Sequence, residues 1–152
     1  MFEPKVVLAP TDFSDSSRDA VETAAGVAGR YGATLVLVHV VPTLPRLPAT
    51  VSIFKEGDYE QSLRDEASKR MAELSAKYAK AGVSVQSEVG LANDVAQEIL
   101  LIAGRHKADL IVIATHGMSG WKELIHGSIA EKVVRMARGV VLVLKDPPQK
   151  KA

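Results

Sequence analysis

Cysteine is absent from the 152 residues, which removes disulfides, thiolate metal sites and cysteine nucleophiles and leaves the compartment to be judged from other features. Aromatic residues are scarce at 5%, and neither sign of charge dominates, with 19 Lys and Arg against 18 Asp and Glu. A nucleic-acid surface calls for a concentrated basic face. Here Lys and Arg alternate with Asp and Glu along the helical stretches, so nucleic acid is not an expected partner. No apolar run reaches the roughly 20 residues of a bilayer-spanning helix. Met1 to Lys5 leads straight into a strand without the basic and apolar regions of a secretory signal. These absences predict a cytoplasmic protein with no membrane partner. Hydrophobic residues make up 47%, and the length suits one domain with a continuous core, expected over residues 1–146, with 147–152 expected as a frayed tail.

The chain alternates between two periodicities. Val6 to Ala9 is a short apolar run, followed by Thr11-Asp12-Phe13-Ser14, rich in helix-capping side chains. Ala20, Ala24, Val27, Ala28 and Tyr31 then recur at helical spacing, and Gly32 sits where a left-handed C-terminal cap belongs. Thr34 to Val41 reads as a central strand covered on both faces. Pro42 to Asp58, with three prolines, reads as a long loop, either a lid or a surface excursion. Leu63, Ala67, Met71, Leu74 and Tyr78 form the apolar stripe of the longest helix, Tyr59 to Ala81. Val83 to Val89 alternates strictly, as an edge strand does. Asn93 or Asp94 then caps a helix carrying Val95, Ile99, Ile102 and Ala103, Leu110 to Ala114 is a buried strand, Ile129 to Arg138 a helix, and Gly139 to Leu144 a fifth strand.

Five strands alternating with four helices predict a single three-layer α/β domain with a parallel sheet of order 3-2-1-4-5, in which the first and fourth strands meet at the topological switch point. Two loops fall there. One carries Thr11 and Asp12. The other runs from Ala114 through His116, Gly117, Gly120, Trp121, Lys122 and His126 to Gly127 and Ser128. Glycines before a helix start let backbone N–H groups approach a phosphate. Alternatively, those glycines make turns while Ser128 and Glu131 form a capping box. His116 lies inside the loop, but no carboxylate or nucleophile can be placed beside it, and His39, His106, His116 and His126 lack metal-ligand spacing, so neither a catalytic residue nor a protein-held metal is expected.

With both loops in hand, the chain resembles the universal stress protein family over nearly its whole length. The family's nucleotide-binding branch is marked by Gly-x-x-Gly, nine residues, then Gly-Ser or Gly-Thr. Here Ala114-x-x-Gly117, nine residues and Gly127-Ser128 keep that spacing, with Ala114 in place of the first glycine. Val7-Leu8-Ala9-Pro10-Thr11-Asp12-Phe13-Ser14 and Leu37-Val38-His39-Val40 are similar to the family's first two strand ends. The resemblance implies a Rossmann-like fold that binds ATP. Asp12 and the adjoining Pro10 and Thr11 would lie on the sugar and base side, Val40 would offer backbone hydrogen bonds to adenine, and Gly117, Gly127 and Ser128 would hold phosphates, with Ala114 and Ile129 completing the set. No Lys follows Gly127-Ser128 as in a Walker loop, so Mg2+ would reach the protein through the nucleotide.

The expected function is an ATP-binding stress-response regulator in which occupancy sets conformation or partner choice, with at most slow hydrolysis. A nucleotide-free dimeric adaptor of the same fold is the alternative. A small adenylating enzyme is a further one, weakened by Thr115-His116-Gly117-Met118, which lacks a His-x-Gly-His signature. The apolar run Val140, Val141, Leu142, Val143 and Leu144, a predicted edge, is the expected homodimer contact, as the resemblance also implies.

Overall fold

The computed structural model describes residues 1–43, 56–115 and 129–145. They form β1 (Val6–Pro10), α1 (Asp15–Tyr31), β2 (Thr34–Pro42), α2 (Glu56–Lys80), β3 (Ser84–Ala92), α3 (Val95–Arg105), β4 (Leu110–Ala114), α4 (Ile129–Met136) and β5 (Val140–Leu144). The strands make one sheet of order β3-β2-β1-β4-β5, parallel throughout, as the alternation predicted. Among the described residues no helix is long and apolar enough to cross a membrane.

Side chains alternate between the two sheet faces, and each face has its own core. Val7, Ala9, Leu35, Leu37, Leu110 and Val112 point to α1 and α2; Leu8, Val36, Val38, Val40, Ile111 and Ile113 point to α3 and α4. The small residues Ala20, Ala24, Ala25 and Ala28 on the buried face of α1 let it lie close to the sheet. On the opposite face Ile102 and Val133 are wholly buried, each worth about 1.5–3 kcal/mol relative to exposure. Val21 joins the buried side of α1, whereas Tyr31, counted in the apolar series, is 45% exposed on the last turn. Gly32 ends the helix at φ 63°, a left-handed conformation suited to glycine.

Several boundaries differ from expectation. β3 runs on to Ala92 because it pairs with the whole of β2, from Thr34↔Ser84 to Pro42↔Ala92. Pro42 thus closes a strand, and Glu56 to Asp58 belong to α2, so the long loop is shorter at both ends. The last helix ends at Met136, with Ala137 N–H closing onto the Val133 carbonyl at 2.8 Å. His116, Gly117, Gly120, Trp121, Lys122, His126, Gly127 and Ser128, and with them the capping-box reading, lie outside the described residues, as does the tail.

Candidate functional site

Backbone groups in a parallel ladder turn alternately to the two neighbouring strands. Thr34 N–H donates to the Lys5 carbonyl and Thr11 N–H to the Val38 carbonyl, so odd-numbered residues of β1 serve β2 and even-numbered ones serve β4. Position 10 therefore owes its N–H to β4, and Pro10 has none. The β1–β4 register accordingly stops at Leu8↔Ile111, while β1–β2 continues to Pro10↔Val38 and β4–β5 to Ala114↔Leu144. Hydrogen-bonded pairing between β1 and β4 thus ends early at the carboxyl end of the sheet, the place where open α/β sheets bind ligands.

The turn that leaves β1 at this split is held by side chains. Asp12 Oδ1 accepts from Ser14 N–H at 3.0 Å and from the Ser14 hydroxyl. Ser14 in turn is the N-cap of α1, its hydroxyl oxygen accepting from Ser17 N–H at 3.3 Å. Thr11, only 6% exposed, shares a 3.0 Å hydrogen bond with the Ser17 hydroxyl and accepts from Phe13 N–H at 3.0 Å. Phe13 sits at φ 65°, a left-handed conformation that costs a residue with a Cβ on the order of 1–3 kcal/mol. It is clamped there: its ring lies 4.6 Å from that of His39, and the Arg70 guanidinium of α2 sits 4.0 Å above it.

His39 Nδ1 is 2.7 Å from the Thr11 carbonyl oxygen. A carbonyl only accepts, so Nδ1 carries the hydrogen. Burial lowers the His39 pKa, an effect partly offset by the Thr11 carbonyl and by Asp12 and reinforced by Arg70. Strand alternation explains the placement, since residue 39 faces α1 and α2 while Val38 and Val40 face α3. The backbone of Val40, two residues beyond Val38, turns toward β1 past its last paired residue, into the space beside Asp12.

On the other side of the split, Thr115 N–H and hydroxyl both donate to the Leu144 carbonyl, at 3.0 and 3.3 Å, which holds the chain leaving half-buried Ala114 against β5. Ile129, 44% exposed, opens α4. Lys132 on the first turn of that helix pairs with Asp94, whose carboxylate also caps α3 by accepting from Gln97 N–H at 3.1 Å. Lys132, with that N–H, holds the Asp94 carboxyl below its ordinary pKa. This ion pair joins the starts of α3 and α4 at the carboxyl end of the sheet.

Of the sequence-derived set, Pro10, Thr11, Asp12, Val40 and Ala114 therefore lie at or near the carboxyl ends of three adjacent strands, and Ile129 begins the helix that follows. Gly117, Gly127 and Ser128 are among the undescribed residues. His39, Phe13 and Arg70 were not singled out for the site, although the alternation of β2 already put residue 39 on the face opposite Val40.

A parallel sheet of order β3-β2-β1-β4-β5 with helices on both faces defines a doubly wound α/β domain. The chain belongs to the universal stress protein family, whose sequence model matches residues 3–145. It is 33% identical to a universal stress protein of Methanocaldococcus jannaschii, covering 94% of this chain and 83% of that one. The structure of the universal stress protein UspA from Lactobacillus plantarum superposes with a TM-score of 0.83 at 22% identity, covering 95% of this chain and 99% of that chain. A universal stress protein from Archaeoglobus fulgidus in complex with dAMP matches with a TM-score of 0.60 at 21% identity, covering 93% and 97%.

Proposed function

We propose that this protein is an ATP-binding stress-response regulator in which nucleotide occupancy sets conformation or partner choice, with at most slow hydrolysis. The observation that carries this reading is the Val40 backbone turned toward β1 beyond its last paired residue, beside Asp12. An N–H and a C=O on one residue match the acceptor N1 and donor amino group of adenine, whereas guanine offers the reverse pattern at those positions. The dAMP held by the protein of Archaeoglobus fulgidus supports adenine as the base. Pro10, Thr11 and Asp12 would flank base and sugar, and Ala114, Gly117, Gly127, Ser128 and Ile129 the sugar and phosphates. Any Mg2+ would be held through the phosphates, which supply the oxygen ligands it prefers. Acid extraction of the purified protein, followed by equilibrium titration with ATP and GTP, tests the reading. Tighter binding of ATP is expected; equal affinity, or none, removes it.

The protein is further proposed to be a homodimer through Val140, Val141, Leu142, Val143 and Leu144. β5 is an edge strand whose Val140 and Leu142 are 47% and 41% exposed. A second copy pairing across a two-fold axis would satisfy the edge and cover these side chains. The alternative of a nucleotide-free adaptor uses the same edge and is separated from the first reading by the titration.

A further inference from the structure

The β1–β2 ladder stops at Pro10↔Val38, although β2 itself runs on to Pro42. Beyond Pro10↔Val38 the register would run through Thr11↔His39 to Asp12↔Val40, whose two bonds would run from Val40 N–H to the Thr11 carbonyl and from Phe13 N–H to the Val40 carbonyl. Both of Val40's partners are instead taken by side chains. The Thr11 carbonyl receives His39 Nδ1–H at 2.7 Å, and Phe13 N–H is spent on Thr11 Oγ1 at 3.0 Å. We infer that His39 and Thr11 are positioning residues that stand in for Val40 in this rung, leaving both Val40 backbone groups to a ligand with an adjacent acceptor and donor, as on the edge of a 6-aminopurine.

The substitution is cooperative. Phe13 sits at φ 65°, and its N–H is turned back to its own turn, 3.0 Å from Thr11 Oγ1. The His39 ring that donates to Thr11 also packs on Phe13, and Arg70 covers the ring from α2. Each contact that keeps the turn off the Val40 rung thus supports the others. A buried backbone group left without a partner is destabilising, so the native turn must satisfy Thr11 and Phe13 by other means. A ligand can then supply what Val40 lacks.

The affinity part of this inference rests on the adenine reading; the hydrogen-bond part does not. In the ligand-free protein, 15N–13C′ couplings through hydrogen bonds report each rung directly. The wild type should show the Thr11 N–H to Val38 coupling and neither Val40 rung. His39→Phe keeps the ring packing but removes the donor, and should gain the coupling from Val40 N–H to Thr11. Thr11→Val removes the hydroxyl acceptor and should gain the coupling from Phe13 N–H to Val40. Each variant should bind ATP roughly tenfold more weakly, the equivalent of one net hydrogen bond withdrawn from the ligand. His39→Asn, which offers an N–H near the Nδ1 position, should stay within about threefold of wild type. A Val40 rung already present in the wild type, or absent from both folded variants, overturns the inference, and so does an Asn variant as weak as the Phe variant. If the wild type binds no ATP, the adenine reading fails and the couplings alone decide whether His39 and Thr11 replace the rung.

Discussion

Replacing Pro10 with Ala tests whether a missing hydrogen-bond donor opens the crevice. The shared bond of the Val7↔Leu110 and Leu8↔Ile111 pairs comes from Leu8 N–H to the Leu110 carbonyl, so an N–H at position 10 would next seek the Val112 carbonyl. Such a rung is worth about 1 kcal/mol net. A ligand that needs the strands parted must break it first, so ATP affinity should fall about fivefold. Stability should move little, and downward. Two buried ring methylenes are lost at about 0.8 kcal/mol each, and the less rigid unfolded chain costs about 0.4–1 kcal/mol more. The new rung offsets part of this, leaving a deficit of about 1 kcal/mol and a midpoint about 2–4 °C lower. Calorimetric titration gives the affinity, thermal circular dichroism the midpoint, and hydrogen exchange at the amide introduced at position 10 shows whether the rung has formed. Protection of that amide with unchanged ATP affinity would refute the placement of the ligand in this split. Its free exchange would refute proline as the cause of the parting.

Gly127→Val should abolish nucleotide binding while leaving the circular dichroism spectrum near that of the wild type, because a Cβ and two methyls at that position obstruct phosphate approach; unchanged affinity would favour a purely capping role for Gly127 and Ser128. Thr115 N–H donates to the Leu144 carbonyl, so even-numbered residues of β5 serve β4, and the N–H groups of Val141 and Val143 face the open edge. Val141→Pro should therefore dissociate the dimer in sedimentation equilibrium while sparing the β4 ladder, and a wild type that stays monomeric at high concentration would end the proposal. Burial lowers the His39 pKa below its ordinary value of 6.5, so between the folded and unfolded pKa values the unfolded chain binds the extra proton. His39 should thus cost no stability above pH 6.5 and a growing amount as the pH falls toward its folded value; urea midpoints of the wild type should drop more steeply from pH 7.5 to 5 than those of His39→Phe, and equal slopes would count against it.

The fold was legible because its signals are local and repeated. Gly32 closes α1 in the left-handed conformation its position called for, Asp94 is the cap of α3, and the strict alternation of Val83 to Val89 did mark the outer strand β3. Boundaries were less legible where a neighbour decides them. Nothing within Gly90-Leu91-Ala92 demands a strand, but β2 offers a partner for each. Glu56 to Asp58 continue a helix whose apolar stripe begins only at Leu63.

The site divides in the same way. Thr11 and Asp12 could be read as a strand-end turn from their residue types, and Pro10 stood in view as a residue without a donor. What that lack means depends on which strand position 10 serves, and this follows only once β1 lies between β2 and β4. His39 shows the limit most clearly. In sequence it is one of four histidines with no useful spacing. It becomes meaningful when the parity of β2 carries its ring to the α1–α2 face while its chain neighbour Val40 turns a backbone N–H and C=O toward β1, past the last paired residue. Adjacent residues on one strand can thus act on the same loop from two directions, His39 by taking the Thr11 carbonyl and Val40 by being relieved of it.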